Sequence, residues 1–331
     1  MTILYYSTQN HSLQFLWDYV TLPIGDFIMK KQIKGIVMLL LATLIWGTTF
    51  IPQRMAMSGM TPFYFQAIRC SLAVLVLIPV TMLLDRAKTD GKTYFQRWAD
   101  KKLWIGGVLC GLTLFLACNL QQIGLVDTDA GKSAFLTAMY IVIVPIIGIF
   151  LKKKPSKMIP LCVLLAVAGL YCLSCVGVAS ISTADLLLLA CAFMFAVQIT
   201  FVDIFAPQVD PVRLNLLQVA VCATLSAIAA VSTETTTWEA VLGNWFPLCY
   251  AGILSMGVAY TMQIFGQLEL EPSSASLVMS LESVFAVVAG AIILNERMTS
   301  WEILGCGLMF AGVILSQIPD KFLFIKRGTN K

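Results

Sequence analysis

Glu282 stands inside an apolar run, SLESVFAVVAGAIILN, nine residues past Ser273. In a helix that spacing carries it ~14 Å into an apolar layer ~30 Å thick, close to the midplane. An unpaired carboxylate at such a depth costs about 3 kcal/mol or more, so its presence needs a reason. The choices are proton coupling, capture of a substrate ammonium, or a structural bond to a helix terminus or basic side chain. Arg69 poses the same question with the opposite sign, eight residues into its own apolar run. Arginine cannot shed its proton. It is either the binding group for a substrate carboxylate or one end of a structural contact.

Neutral polar residues recur at helical spacing. Asn119 and Gln122 share a face at i, i+3, and Tyr260 and Gln263 repeat that spacing further along. Ser133, Thr137 and Tyr140 form a stripe at spacings of four and three. Each such group in an apolar segment must face water, a ligand or another helix. Substrate lining and interhelical hydrogen bonding both fit. Trp46 and Phe50 share a face at i, i+4, and Gln198 adds an amide to another run. Lys132 is ambiguous between snorkelling and substrate steering, and Asp185 falls near a segment end where a charge is cheap.

No cofactor or metal is expected. All ten cysteines fall in apolar segments and read as packing residues. Cys172 and Cys175 make a C-x-x-C, but no second pair or neighbouring histidine completes a site. The single histidine, His11, lies outside the apolar segments, which removes a histidine proton relay. Nothing resembles a phosphate-binding G-x-x-x-x-G-K-[ST] loop, so nucleotide chemistry is not expected.

The elements that must hold these residues are membrane helices. Of the 331 residues, 59% are hydrophobic and only 12% charged, too little charge to cover a soluble surface. The apolar residues gather into ten blocks, at 35–53, 61–84, 103–124, 130–151, 158–177, 183–205, 211–231, 245–267, 273–294 and 301–319. Each is long enough to cross a ~30 Å hydrocarbon layer as a helix, and most lack the alternation of a barrel strand. An all-α membrane protein of ten transmembrane helices follows. The net charge of +4 records insertion and not a nucleic-acid partner. Lys30, Lys31, Lys34, Arg86, Lys88, Arg97, Lys101, Lys102, Lys152, Lys153, Lys154, Lys157, Arg213, Lys321 and Arg327 fall on one side. Only Arg54, Lys132 and Arg297 fall on the other. The positive-inside rule then puts both termini in the cytoplasm.

The blocks repeat. Leu40–Thr43 (LLAT) falls on Leu188–Cys191 (LLAC), Pro62 on Pro211, and Arg69 on Gln218. Further on, Trp104, Gly111, Gln122 and Ile123 meet Trp245, Gly252, Gln263 and Ile264, and Ser133, Leu151 and Gly169 meet Ser276, Leu294 and Gly312. The order holds along five blocks, giving two units, 29–177 and 183–319, followed by a basic tail, 320–331. Because five is odd, the second unit enters from the opposite side. Two inverted units around a central midplane site are a plan of secondary transporters, whose partners are the lipid bilayer, a small-molecule solute and, for coupled ones, protons. A duplicated scaffold without transport, or an intramembrane enzyme, is the competing reading. An enzyme would need a nucleophile-base pair or metal cluster within the spans.

The motifs also resemble a known family. LLATLIWGTTF, TPFYFQAIR and SLESVFAVVAGAIILNERMTSWEILGCGLMFAGVIL are similar to EamA-type transporters of the drug/metabolite transporter superfamily. Leu281–Ala286 and Leu294–Thr299 carry the most specific parts, and the likeness runs from Met29 to about Ile318. It implies ten helices in two inverted units and, as a rule, export of small metabolites such as amino acids or related compounds across the cytoplasmic membrane. Two positions depart from the pattern. Lys153 stands where the second unit has Glu296, and Ser283 stands where a proline often follows the glutamate. Residues 1–28 fit neither unit nor a signal peptide. Either translation starts at Met29, or they form a cytoplasmic extension.

Overall fold

A computed structural model describes residues 27–318 apart from 90, 129, 154, 175–181 and 294–298. The 1–28 extension up to residue 26, His11, Cys175, Glu296, Arg297 and the 320–331 tail lie outside the described residues. All regular structure among the described residues is helical. The helices are α1 (Phe27–Ala56), α2 (Pro62–Arg86), α3 (Lys101–Gly124), α4 (Ala130–Ala138 and Tyr140–Phe150) and α5 (Ile159–Ser174). They continue with α6 (Thr183–Phe205) and α7 (Pro211–Thr233). A short turn, Trp238–Gly243, leads into α8, which runs as Trp245–Cys249, Tyr250–Ala259 and Tyr260–Gln267. Last come α9 (Pro272–Met279 and Glu282–Ile293) and α10 (Ser300–Ser316).

Local chemistry sets the ends. Pro62, Pro211 and Pro272 open α2, α7 and α9, where a missing N–H costs nothing. Asp100 and Asp210 cap α3 and α7 by accepting from backbone N–H groups of the first turn. Ser182 with Asp185 and Thr299 with Glu302 form reciprocal capping boxes on α6 and α10.

Among the described residues eight helices, α1–α4 and α6–α9, are long and apolar enough to cross a membrane. The fifth and tenth apolar blocks yield shorter helices: the 17 residues of α10 rise ~26 Å, less than a full hydrocarbon layer. The surface inverts the soluble pattern. Leu75, Leu83, Phe150, Leu164, Ile228, Val231, Ile292 and Ile314 are exposed, while Arg69, Gln122, Gln198, Asn215, Gln218 and Glu282 are buried. That distribution suits an apolar solvent outside and polar contacts within. The chain is a multi-pass membrane protein.

Helices α4 and α9 are not continuous as the apolar blocks suggested. At Met139 the backbone tightens into i→i−3 bonds, Met139 N–H to Leu136 O and Val142 N–H to Met139 O. Helix α9 does the same, from Leu281 N–H to Val278 O and from Ser283 N–H to Ser280 O. In α9 the hydroxyls of Ser276 and Ser280 bond back to Ser273 O and Leu277 O, which favours a bend. The helices pack as α2 on α7, α5 on α10 and α4 on α9, with α3 against α6 and α7, and α8 against α1 and α2. Helix α1 also meets α9, and α4 meets α6.

Candidate functional site

Between these helices lies a central cavity. Helix α1 contributes Trp46, Thr49, Phe50 and Gln53, α2 contributes Arg69, and α3 contributes Cys118 and Gln121. Thr137 and Tyr140 come from the two pieces of α4, and Phe195, Gln198 and Ile199 from α6. Helix α8 adds Ser255, Met256, Tyr260 and Gln263, and α9 adds Met279 and Glu282. The structure thus brings Trp46, Phe50, Arg69, Thr137, Tyr140, Gln198, Tyr260, Gln263 and Glu282 to one place.

Two glycines fix the charged residues. A Cβ on Gly47 of α1 would stand 2.6 Å from Glu282 O, and one on Gly252 of α8 would stand 2.7 Å from Arg69 O. Only glycine lets those backbones approach so closely. Glu282 opens the second piece of α9, where the partial positive charge of a helix N-terminus favours a carboxylate. Its carboxyl faces the Tyr140 hydroxyl, and Glu282 Oε1 and Tyr140 Oη have no polar partner besides each other. Arg69 Nε donates to Gln66 Oε1 at 2.7 Å and its guanidinium lies 5.4 Å from the Phe65 ring centre. Trp46 and Tyr260 pack with ring centres 5.0 Å apart and planes tilted by 60°.

A chain of amides braces one side. Gln218 Nε2 donates to Asn215 Oδ1, Gln198 Nε2 to Gln218 Oε1, and Gln263 Nε2 to both Gln198 Oε1 and Gln267 Oε1. Gln267 Nε2 ends the chain on Ile199 O. Asn215 Nδ2 donates to Met256 O and Gly257 O, carbonyls of the π-helical stretch Tyr250–Ala259. Asn215 and Gln267 were not among the expected residues, although their i, i+3 and i, i+4 spacing to Gln218 and Gln263 carried the signal.

Three expected lining residues lie elsewhere. Asn119 Nδ2 donates to Phe115 O and to Ser226 Oγ of α7, so it joins two helices. Gln122 is fully buried and reaches Gln53 O at 3.5 Å. Ser133 is also buried and outside the cavity wall. Cys118 and Gln121, one residue earlier, take the places expected of Asn119 and Gln122. The cause is the π-helical stretch of α8. Its i→i+5 winding rotates Tyr260 and Gln263 relative to their internal counterparts in the regular α3, so equal positions face different ways.

Lys132 and Asp185 meet at the starts of α4 and α6. Lys132 Nζ donates to Asp185 Oδ2 at 2.8 Å. Asp185 stands in the first turn of α6, at the segment end where it was expected, and there it is buried and serves the cap as well. At the opposite end of the bundle Asp85, Lys88, Arg97, Asp210 and Arg213 tie α2 and the stretch before α3 to the start of α7. Arg213 also sits over the rings of Tyr94 and Trp98, 5.7 and 5.4 Å from their centres. Lys153 pairs with Asp203.

Apolar helices around a buried cavity with polar groups in its wall make a polytopic membrane protein, and comparison with known proteins gives its class as transporter. The model of the EamA-like transporter family matches residues 33–175 and again residues 182–317. The chain belongs to that family, within the drug/metabolite transporter superfamily. It is 30% identical over 291 residues to an uncharacterized transporter of Archaeoglobus fulgidus, covering 86% of each chain. It is 21% identical over 309 residues to an uncharacterized transporter of Bacillus subtilis, covering 90% of this chain and 99% of that one. A solved crystal structure shares the fold with a TM-score of 0.69 at 16% identity, covering 86% of this chain and 96% of that one.

Proposed function

We propose that the protein is a secondary transporter that moves a small organic solute through the central cavity by alternating access. The observation that carries this reading is the cavity itself, walled from both halves of the chain and holding a carboxyl and a guanidinium with open valences. Polar groups left open in a membrane protein's interior are what a solute path requires.

The inverted arrangement of two five-helix units is supported by the pattern of packing. Exchanging α1–α5 for α6–α10 turns the contact of α1 with α8 into that of α6 with α3, and α1 with α9 into α6 with α4. The pairs α2 with α7, α4 with α9 and α5 with α10 map onto themselves. The double match of one family model agrees with the same duplication. Ten spans, counting the shorter α5 and α10, would put both termini in the cytoplasm. The loops rich in Lys and Arg support that orientation in a cytoplasmic membrane. From the family resemblance we take the direction as export and the cargo as an amino acid or related metabolite. Glu282 is the candidate for coupling to protons.

The test is flux. Reconstituted into liposomes, the protein should exchange a labelled amino acid or related metabolite against its unlabelled form. Folded protein that moves no member of a broad metabolite panel contradicts the reading and favours a scaffold. Within transport, loss of pH-driven movement in Glu282→Gln with exchange retained marks a proton-coupled carrier. Unchanged pH-driven movement removes Glu282 from coupling.

A further inference from the structure

Arg69 is 1% exposed, yet it lines the cavity and its Nη1 has no partner. Its remaining contacts are neutral: the Gln66 carbonyl at Nε and the face of Phe65. No Asp or Glu forms an ion pair with it among the described residues. The cavity's one carboxyl, Glu282, comes from α9 and makes no ion pair with Arg69. A guanidinium cannot deprotonate to escape such a place, so its charge stays without a counter-ion when the cavity is empty.

The other half of the chain shows what a purely structural residue looks like at the equivalent position. Gln218 is uncharged and bonded at both ends, accepting from Gln198 and donating to Asn215. Arg69 instead keeps one end of its fork open. Gly252 meanwhile holds α8 tight against the Arg69 backbone, which limits how far the residue can retreat.

We propose that Arg69 is the docking point for an oxyanion, a carboxylate or phosphate, carried by the transported solute. The solute supplies the missing counter-charge, and the planar guanidinium fixes that end through charge-assisted hydrogen bonds. Trp46, Phe195 and Met256 then face an apolar portion of the same molecule. The proposal rests on the transport reading and deepens it, because it assigns the anionic end of the cargo to one side chain.

Two matched probe series test it by thermal unfolding of the full-length protein in detergent. One shares a branched body: 4-methylpentanoate, leucine, isopentyl phosphate and isopentylamine. The other shares an aromatic body: 3-phenylpropanoate, phenylalanine, phenethyl phosphate and phenethylamine. Binding to the folded state raises the unfolding temperature. Oxyanion-bearing members of at least one series should stabilise the wild type, and the matching amine should not. Carboxylate against phosphate within a series identifies which oxyanion is taken. In R69Q, which installs the side chain of the internal counterpart, oxyanion binding should weaken about 10- to 100-fold.

The proposal is overturned if an amine stabilises as well as its acid, if no oxyanion stabilises, or if R69Q binds as the wild type does. Should R69Q fail to fold, acid against amine on the wild type decides alone. Flux of a cationic or uncharged solute in liposomes would reject this inference and leave the transport reading standing.

Discussion

Gly47→Ala is the smallest change that should disturb the site. The added Cβ would stand 2.6 Å from Glu282 O, 2.6 Å from Phe285 Cβ and 2.9 Å from Ala286 N. Ordinary contact lies at ~3.5–4.0 Å, so α1 and α9 must part by ~1 Å. Two of the obstructing atoms are backbone and the third is a Cβ, so no side-chain rotation relieves them. Overpacking of this kind costs ~1–3 kcal/mol, and the gain in helix propensity from glycine to alanine returns up to ~1 kcal/mol. A net loss of ~1–2 kcal/mol follows, on the order of 2–6 °C in unfolding temperature. Because the displaced backbone begins at Glu282, exchange flux should fall as well, measured at a temperature where the variant is folded. Gly307→Ala is the control, since a Cβ there meets nothing within 4 Å. If Gly47→Ala matches Gly307→Ala in both stability and flux, the close approach of α1 to the break in α9 does not position the site.

The remaining expectations concern other parts of the frame. Gln198→Leu removes the middle of the amide chain, strands Gln218 Oε1, and leaves Gln263 Nε2 its bond to Gln267 alone. It should destabilise by ~1–3 kcal/mol in thermal or denaturant unfolding. Lys132→Met leaves the buried Asp185 without its cation, and the loss should be relieved by the double change with Asp185→Asn; a double-mutant cycle reads the coupling. Asp210 lies between α6 and α7. Burial pushes its carboxyl up, but Lys88, the Arg213 backbone N–H and the Arg213 charge together hold it below the usual carboxylate range. Its contribution is therefore present above the unfolded-state value near pH ~4 and lost as pH falls through the lower folded value. Asp210→Asn should flatten that acid-side decline in a pH series of unfolding temperatures.

Helix positions could be read because apolar blocks of span length have few other uses, and caps such as Ser182 and Asp210 mark their starts. Types of residue could be read as well: Glu282 and Arg69 stood out by charge alone. Facing could not be read so well. Asn119 and Gln122 looked equivalent to Tyr260 and Gln263 only while both helices were assumed regular, and the π-helical stretch of α8 leaves no mark in composition. The breaks at Met139 and before Glu282 were equally hidden. Met139 is apolar and helix-compatible, so its departure from the helix is set by packing against neighbours. Partnership is the third gap. Lys132 and Asp185 are 53 positions apart, and no spacing rule joins them.

The central claim is that one cavity is reached in turn from both sides of the membrane. Cys118 lines that cavity and offers a native probe. With the other cysteines replaced, a small membrane-impermeant thiol reagent should be applied to oriented vesicles from one side and then the other. The account predicts modification of Cys118 from either side, at rates that shift in opposite directions when a transported solute is added. Modification confined to one side, with solute present or absent, contradicts it.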